Sequence, residues 1–297
     1  MQITILGTSA MMPTKERNPS AIFLKYKTEG ILFDCGEGTQ RQMKITGISI
    51  PSITRICISH WHGDHVFGLP GLLQTYAAAE TGKTLHIYGP KGTKKHFKTL
   101  FEGMIFEEKT NIKVHEITKP GKFFENKDFT LEAMPLKHPV PCIGFSFIEK
   151  DRRKIKIEKI KKIGIPEGPL LGELQKGKTI TFKGKKIKPE ETTTIIKGRK
   201  ITIITDTELN KNCYKLAKNA DILISEGTFT SKLKEKAKKY GHLTALEAAQ
   251  LASKANVKKL ILTHFSARYK DITEIEEDAR TAFDNVITAY DFMKITL

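Results

Sequence analysis

Short β-rich segments alternate with segments of helical periodicity along most of the chain. Apolar runs bounded by turn-forming residues predict strands at 2–8, 21–26, 30–35, 54–59, 84–89, 129–137, 144–149, 200–206, 221–226 and 258–264. Helical spacing predicts helices at 37–46, 67–79, 91–102, 208–218, 230–240, 244–255 and 272–283. The helix at 244–255 begins at Thr244, a residue type suited to N-capping. This mixture favours an α/β fold in which helices cover sheets.

The composition is that of a globular protein. A chain of 297 residues, of which 39% are hydrophobic, can bury a sizeable core. No apolar run approaches the roughly 18 residues of a membrane span, and the N-terminus lacks the layout of a signal peptide. The cysteines are scattered without a Cys-x-x-Cys pair, so we expect reduced core residues and a cytoplasmic protein without a membrane partner. They are Cys35, Cys57, Cys142 and Cys213.

The formal net charge of +17 favours a polyanionic partner, with nucleic acid ahead of a membrane surface. Residues 150–188 hold 14 Lys and Arg against 4 Asp and Glu, a net charge of +10. The same stretch is rich in Gly and Pro, so we expect no compact core there and interpret residues 150–198 as an inserted flexible arm. The alternatives are that the arm is a solvated loop without a partner and that the charge serves only solubility.

A cluster of potential metal ligands follows the predicted strand at 54–59. His60, His62, Asp64 and His65 fall within six residues. Alternate residues of an extended segment face the same way, so His60 and His62 can bind one ion together. After the turn at Gly63, Asp64 and His65 point elsewhere and can begin a second site. His and carboxylate ligands suit Zn²⁺, and Mn²⁺ is also compatible.

Other candidate ligands share one context, a polar residue at the end of an apolar strand. His138, Asp206 and His264 have this position. The carboxylate of Asp206 can bridge two ions, because each of its oxygens can bind one. Glu226 ends a strand and His242 precedes a helix, and either can be a functional residue or an ordinary turn residue. We interpret the histidines without this context as structural or surface residues, namely His86, His96 and His115.

The His-x-His-x-Asp-His pattern is the signature of the metallo-β-lactamase superfamily, which the chain resembles. Within that superfamily it is similar to the short form of tRNase Z, an endonuclease that trims the 3′ end of precursor tRNA. The motifs that carry the resemblance are PTKERN at 13–18, FDCGEGTQRQM at 33–43, SEGTF at 225–229, HLT at 242–244 and HFSARY at 264–269. Serine at 225 replaces the family histidine, so only Glu226 is carried over from that motif. Gly168-Pro169 in the basic stretch matches a Gly-Pro motif in the family's flexible arm.

The resemblance implies two metal ions per subunit. His60, His62 and His138 would hold one ion, Asp64, His65 and His264 the other, with Asp206 bridging. Asp64 is then the candidate general base, and His242, held by Glu226, the candidate general acid. Asp34 would lie behind the ligands. Lys15, Arg17 and Arg268 would contact the RNA near its 3′ end.

The resemblance also implies a fold, a reaction and partners. The fold would be a single four-layer αββα metallo-β-lactamase sandwich over residues 1–297, with the basic arm protruding. The enzyme would remove the 3′ trailer from precursor tRNA, leaving a 3′-hydroxyl on the tRNA and a 5′-phosphate on the trailer. The arm would grip the tRNA elbow and serve the active site of the other subunit of a homodimer.

Three alternatives predict different behaviour. A hydrolase of small molecules, such as a cyclic-nucleotide phosphodiesterase or an arylsulfatase-like enzyme, keeps the ligands but does not need the basic arm. A metal-stabilised RNA-binding protein without catalysis binds RNA and releases no product. A nonspecific nuclease does not need the loops that are specific to tRNase Z.

Overall fold

The computed structural model describes residues 1–105 and 111–297. In that part of the chain the strands are β1 (Gln2–Gly7), β2 (Ser9–Ala10), β3 (Ala21–Tyr26), β4 (Glu29–Phe33), β5 (Arg55–Cys57), β6 (Leu85–Pro90), β7 (Ile112–Ile117), β8 (Gly121–Glu125), β9 (Phe129–Pro135), β10 (Ile143–Glu149), β11 (Arg152–Ile155), β12 (Ile180–Phe182), β13 (Lys185–Ile187), β14 (Thr193–Ile196), β15 (Lys200–Ile204), β16 (Ile222–Glu226), β17 (Leu260–Thr263), β18 (Phe265–Ser266), β19 (Val286–Thr288) and β20 (Lys294–Thr296). The α-helices are α1 (Thr39–Thr46), α2 (Gly63–Val66), α3 (Leu69–Ala78), α4 (Thr93–Glu102), α5 (Ile157–Ile163), α6 (Pro169–Gln175), α7 (Pro189–Thr192), α8 (Lys211–Ala217), α9 (Lys234–Tyr240), α10 (Ala245–Lys254) and α11 (Thr273–Arg280). Short 3₁₀ turns lie at Ile50–Ser52 and Ser231–Leu233.

Two large mixed sheets form the body of the protein. Over the described residues, one sheet has the strand order β20-β1-β3-β4-β5-β6-β7 and the other β19-β17-β16-β15-β10-β9-β8. Strands β4 to β7 run parallel in the first sheet, and β15, β16, β17 and β19 run parallel in the second. Because β10 is antiparallel to both β9 and β15, β9 ends at the same edge as β15. Several strands therefore end together at one edge of each sheet.

The sheets pack face to face, with helices on both outer faces. A central cluster joins side chains of both sheets, among them Ile5, Phe33, Phe145 and Ile203. On the outer face of the first sheet, α1 and α3 bury residues such as Met43 and Leu72. On the outer face of the second, α8, α10 and α11 bury residues that include Leu216, Leu251 and Ile275. The predicted αββα order of layers is confirmed.

The segments with strong periodicity have the predicted type of structure. Each strand predicted from an apolar run and each helix predicted from helical spacing has a counterpart in the structure. Thr244 caps α10 as predicted, and its side chain and that of Glu247 form a reciprocal capping box. Strands β7 and β8 were not predicted, because their side chains are mostly half-buried and their pattern mixes polar and apolar residues.

The insertion at 150–198 begins and ends in a two-stranded stalk. Strands β11 and β14 pair antiparallel, from Arg152 opposite Ile196 to Ile155 opposite Thr193. Beyond the stalk, helices α5, α6 and α7 and the β12–β13 pair surround a separate small core. Its buried residues are Ile160, Ile165, Leu174, Ile180 and Ile187.

The expectation that this basic stretch lacks a compact core is therefore wrong. Gly164 and Gly184 adopt left-handed φ angles of 78° and 75°, and they form tight turns between short elements. The glycines thus reverse the chain and leave the intervening Ile and Leu side chains to pack together. Residues from α6, such as Leu174, complete a small core whose central side chains are buried.

The cysteines are free and buried, as predicted. Cys35, Cys57 and Cys213 belong to the hydrophobic clusters of the body. Burial raises the pKa of Cys213 to about 11, so this thiol is protonated at neutral pH. Separately, no helix in the described part of the chain is long and apolar enough to cross a membrane.

Candidate metal centre

The candidate ligands lie where strands of both sheets end. His60 comes three residues after β5, and His138 three residues after β9. Asp206 follows β15 by two residues, and His264 follows β17 directly. In open sheets with parallel strands, ligands bind outside the carboxyl ends of the strands. The structure thus brings the strand-end residues together at one edge.

The loop after β5 directs four side chains in two directions. His62 is extended and caps α2, whose first turn contains Asp64 and His65. The peptide N–H of His65 donates to the carbonyl oxygen of His62 at 3.1 Å, which fixes this turn. Gly36 allows the loop to lie against its neighbour, since a Cβ there would lie 2.4 Å from the carbonyl oxygen of Asp64.

One group of donors contains three imidazoles and a carboxylate. Nε2 of His60 lies 3.0 Å from Nδ1 of His62, and Nε2 of His138 lies 3.3 Å from the same atom. Oδ2 of Asp206 lies 3.6 Å from Nε2 of His60. All four donor atoms lie within 4.8 Å of one another, which is close enough to hold one cation.

A second group lies on the other side of Asp206. Oδ2 of Asp64 is 3.4 Å from Nε2 of His65 and 3.5 Å from Nε2 of His264. Oδ1 of Asp206 is 3.5 Å from the same atom of His65 and 3.3 Å from that of His264. The two oxygens of Asp206 therefore face different groups of ligands, as a bridging carboxylate requires.

Three atoms at the centre are buried without a hydrogen-bond partner in the described part of the chain. They are Nε2 of His65, Nε2 of His264 and Oδ1 of Asp206. A buried polar atom without a partner costs about 1–3 kcal/mol. These three converge within 3.3–3.5 Å, where a divalent cation would accept a lone pair from each. The donor set thus fits a divalent metal ion.

The charges of two of the donors, Asp206 and His60, agree with that fit. Burial raises the pKa of Asp206, but the surrounding histidines lower it more, and it lies well below its ordinary range. Burial, reinforced by the neighbouring His65, holds the pKa of His60 well below its ordinary value. An ionised carboxylate beside a neutral imidazole is what metal coordination needs.

A further layer of residues orients the imidazoles. Oδ2 of Asp34 accepts a hydrogen bond of 2.8 Å from Nδ1 of His65, and Oδ1 accepts one of 2.7 Å from the peptide N–H of Ser59. Asp34 therefore lies behind His65, one of the candidate ligands. The Thr228 hydroxyl lies 3.1 Å from Nδ1 of His264, and the carbonyl oxygen of Gly241 accepts from Nδ1 of His138 at 3.0 Å. Each of these three imidazoles is thereby held with its other nitrogen directed at the centre.

Backbone strain accompanies this arrangement. Asp34 and His264 have φ angles of 57° and 59°, which are uncommon for residues other than glycine. Both directly follow strands, β4 and β17, and both turn their side chains toward the centre. Such conformations persist only where the surrounding structure fixes them, and they concentrate at functional sites.

His242 and Glu226 form a pair beside the second group. Nδ1 of His242 donates to Oε2 of Glu226 at 2.9 Å, and Oε1 of Glu226 accepts from the peptide N–H of Thr207 at 2.6 Å. Burial lowers the pKa of His242, but Glu226 and Asp206 raise it more, to about 9. These two carboxylates thus favour the protonated form of the ring.

The centre opens into a cleft of about 900 Å³. Arg268 lines it, with its guanidinium 5.7 Å from the centre of the Phe229 ring. Lys15 is exposed on the loop that leads to the cleft. Arg17 is engaged within the protein, since its guanidinium donates to the carbonyl oxygen of Tyr269 at 2.7 Å and thereby braces the loop that carries Arg268.

One hydrogen-bond donor to a candidate ligand was not predicted from the sequence. The peptide N–H of Met11 donates to Oδ2 of Asp64 at 2.8 Å, from a backbone with φ of 63°. A backbone donor leaves no residue-type signal, so only the structure could reveal it. The histidines interpreted as structural pair elsewhere: His86 lies 3.0 Å from His115, and His96 packs beside Trp61.

Comparison with known proteins identifies relatives over the full length. A family model described as anti-Pycsar protein Apyc1 matches residues 1–285. Ribonuclease Z from Archaeoglobus fulgidus is 42% identical over 299 aligned positions, which cover 99% of this chain and 97% of that protein.

Solved structures are also similar to this chain over its full length. Human tRNase Z, short form (ELAC1), is similar with a TM-score of 0.73 and 31% identity, covering 100% of this chain and 99% of that one. The metallo-β-lactamase fold protein YhfI from Bacillus subtilis is similar with a TM-score of 0.72 and 19% identity, covering 99% and 98%, which shows the fold alone. The resemblance and the fold inferred from the motifs are confirmed. The chain belongs to the family that the Apyc1 model describes and to the ribonuclease Z family.

Proposed function

We propose that the chain is a zinc-dependent endoribonuclease that removes the 3′ trailer from precursor tRNA. The products would be a tRNA with a 3′-hydroxyl and a trailer with a 5′-phosphate. The observation that carries this proposal is the full-length similarity to Ribonuclease Z, which extends over both the candidate metal centre and the basic insertion. The free buried cysteines support a cytoplasmic location.

Two zinc ions per subunit fit the donors, and Mn²⁺ suits the same set. One site would consist of His60, His62 and His138, the other of Asp64, His65 and His264, with Asp206 shared between them. When bound, such ions lower the pKa of a water molecule and neutralise charge on a phosphate group. The burial of Asp206 among imidazoles supports its role as the shared ligand.

Asp64 would act as the general base. Among the described residues, its hydrogen bond from Met11 and its short contacts with His65 and His264 all involve Oδ2. Oδ1 thus remains to orient the attacking water and accept its proton. The hydrogen bond from Met11 holds the carboxylate in this orientation.

His242 would act as the general acid. Glu226 occupies Nδ1, which leaves Nε2 to donate a proton to the departing 3′ oxygen of the tRNA. Glu226 is itself held by the peptide N–H of Thr207 and by the Thr228 hydroxyl, so the carboxylate cannot turn away. The pair thus keeps the imidazole both protonated and oriented.

The insertion would bind the precursor tRNA, and the enzyme would act as a homodimer whose arms serve the partner's active site. Its lysines can contact phosphates without reading sequence. Support comes from the net charge of +10 in residues 150–188 and from the folded core that presents these lysines on a defined surface. The stalk gives the insertion a fixed point of attachment.

The experiment that tests the proposed function is gel-resolved cleavage of a precursor tRNA with a 3′ trailer. Wild type supplied with zinc should make one cut after the discriminator nucleotide, and both Asp64→Ala and a metal chelator should abolish it. Asp284→Ala removes an exposed carboxylate and should cleave normally. Intact RNA with zinc or manganese present would refute the proposal and leave small phosphodiesters as substrates, whereas scattered cuts would indicate a nonspecific nuclease.

The role of Asp34 predicts a metal affinity that depends on it. Asp34→Asn removes the charge that orients His65 and should weaken zinc binding about 10- to 100-fold. Competition with a chromophoric chelator measures this, and Asp284→Asn is the matched control. An unchanged zinc affinity in a folded Asp34→Asn protein would contradict the positioning role.

The role of His242 predicts a dependence on the leaving group. His242→Ala should lower the cleavage rate about 10²- to 10⁴-fold, the usual contribution of general acid catalysis. A precursor with a 3′-bridging sulfur at the scissile bond should restore most of that loss, because a thiolate leaves without a proton. His96→Ala, at an exposed histidine, serves as control. Equal losses on both substrates would place the acid elsewhere.

The paired strands of the stalk allow the insertion to be replaced by a short turn. Ile155 and Thr193 face each other at its end, so residues 156–192 can be replaced by Asn-Gly, which favours a two-residue hairpin turn. We expect a loss of about 100-fold or more in kcat/KM for precursor tRNA, because phosphate contacts disappear. Hydrolysis of bis(p-nitrophenyl) phosphate should stay within about twofold, and equal loss of both activities would contradict a binding role for the insertion.

The same variant tests the arrangement in trans. Subunits lacking residues 156–192 are mixed with Asp64→Ala subunits, and the mixed dimers are isolated by two affinity tags. Each mixed dimer joins one intact centre to one intact arm on the opposite subunit. Cleavage by such dimers supports action in trans, whereas inactive mixed dimers or a monomeric wild type in light scattering would refute it.

A further inference from the structure

The mouth of the cleft carries large hydrophobic side chains that no residue in the described part of the chain covers. The exposed fraction is 76% for Met11, 52% for Met12 and 63% for Phe67. All three line the cleft that contains Asp64 and His62. Exposed apolar side chains beside a catalytic cleft indicate a binding surface rather than a part of the core. We call Met11, Met12 and Phe67 the apolar rim.

One face of the exposed Phe67 side chain rests against the backbone. It follows α2, and its ring lies against Gly63, where a Cβ would come within 2.3 Å of Cε2 of the ring. Glycine between the two metal-ligand pairs therefore makes room for the ring. An aromatic ring supported by backbone and exposed to a cleft is a ready-made surface for a flat partner, because little side-chain freedom is lost on binding.

The charges of the cleft indicate the chemistry of that partner. The rim itself is uncharged. Apart from the candidate metal ligands and His242, the charged residues that line the same cleft are the cations Lys236 and Arg268 and the acidic Glu37. Both cations lie within 6 Å of the Phe229 ring, at 5.9 and 5.7 Å from its centre. An uncharged apolar surface next to cations suits a ligand with flat apolar parts joined by anionic groups, which describes single-stranded nucleic acid.

We propose that Phe67, flanked by Met11 and Met12, stacks against an unpaired base of a nucleotide that adjoins the scissile phosphate. This inference rests on the proposed function and adds to it a contact with a base. Stacking is sequence-tolerant, because every base has a π face. It would hold the flexible 3′ end over the centre while the insertion holds the body of the tRNA.

A double-mutant cycle tests the contact. Wild type and Phe67→Ala are compared on precursors that are intact, or abasic at the nucleotide directly before or directly after the cut. In wild type, one abasic substitution should lower kcat/KM about 10- to 100-fold, the range of one stacked base. On intact RNA, the kcat/KM of Phe67→Ala should be lower than that of wild type by the same factor. On the abasic RNA, the kcat/KM of Phe67→Ala should fall no further. Phe67→Trp should retain the wild-type sensitivity, and Tyr290→Ala, at an exposed aromatic residue outside the cleft, should change nothing.

The outcomes separate this inference from the proposed function. Failure of wild type to cleave any precursor refutes the function itself. Cleavage with equal sensitivity of wild type and Phe67→Ala to both abasic substitutions refutes only the stacking. The zinc content per subunit shows whether the metal centre of Phe67→Ala is intact. If that centre is disturbed, Phe67→Leu takes the place of Phe67→Ala, because leucine removes the ring but keeps the apolar volume. A change of mass in solution caused by Phe67→Ala, without a change in base sensitivity, would assign the rim to contact between copies of the chain and overturn the proposal.

Discussion

The carboxylate of Asp206 is buried among imidazoles from the loops after β5 and β17, and the arrangement of the centre depends on it. Its two oxygens lie 3.3–3.6 Å from nitrogens of His60, His65 and His264. The surrounding histidines keep this carboxylate ionised although the site is shielded from water. Its negative charge attracts cations to the buried atoms that lack hydrogen bonds.

The surrounding fold keeps this costly cluster in place. The donors sit on loops directly after strands, and the strands are fixed by ladders on both sides and by the core between the sheets. Strained backbone at Asp34 and His264 shows that some stability is given up for orientation. Met11 also has a strained backbone, and this conformation directs its peptide N–H at Asp64. Rigid strand ends and strained loops therefore together fix the positions of the donor atoms.

The sequence was informative where one residue type carries the signal. His60, His62, Asp64 and His65 were predicted as a cluster because four donors in six residues are rare by chance. His138, Asp206 and His264 were predicted because each ends an apolar strand. The small core around Leu174 was not predicted, because its elements are shorter than the windows in which periodicity is visible. The partnership of Met11 with Asp64 was not predicted either, because a peptide N–H is the same for every residue type but proline.

The donors are divided between the two sheets. His60, His62, Asp64 and His65 follow β5 of the first sheet, whereas His138, Asp206 and His264 follow strands of the second. Neither half of the sandwich holds a complete set of donors. A chain whose sheets have begun to separate therefore loses the geometry of the centre before it loses its secondary structure. A partly unfolded chain would therefore lack the joint set of carboxylates and imidazoles that the proposed cleavage of RNA requires.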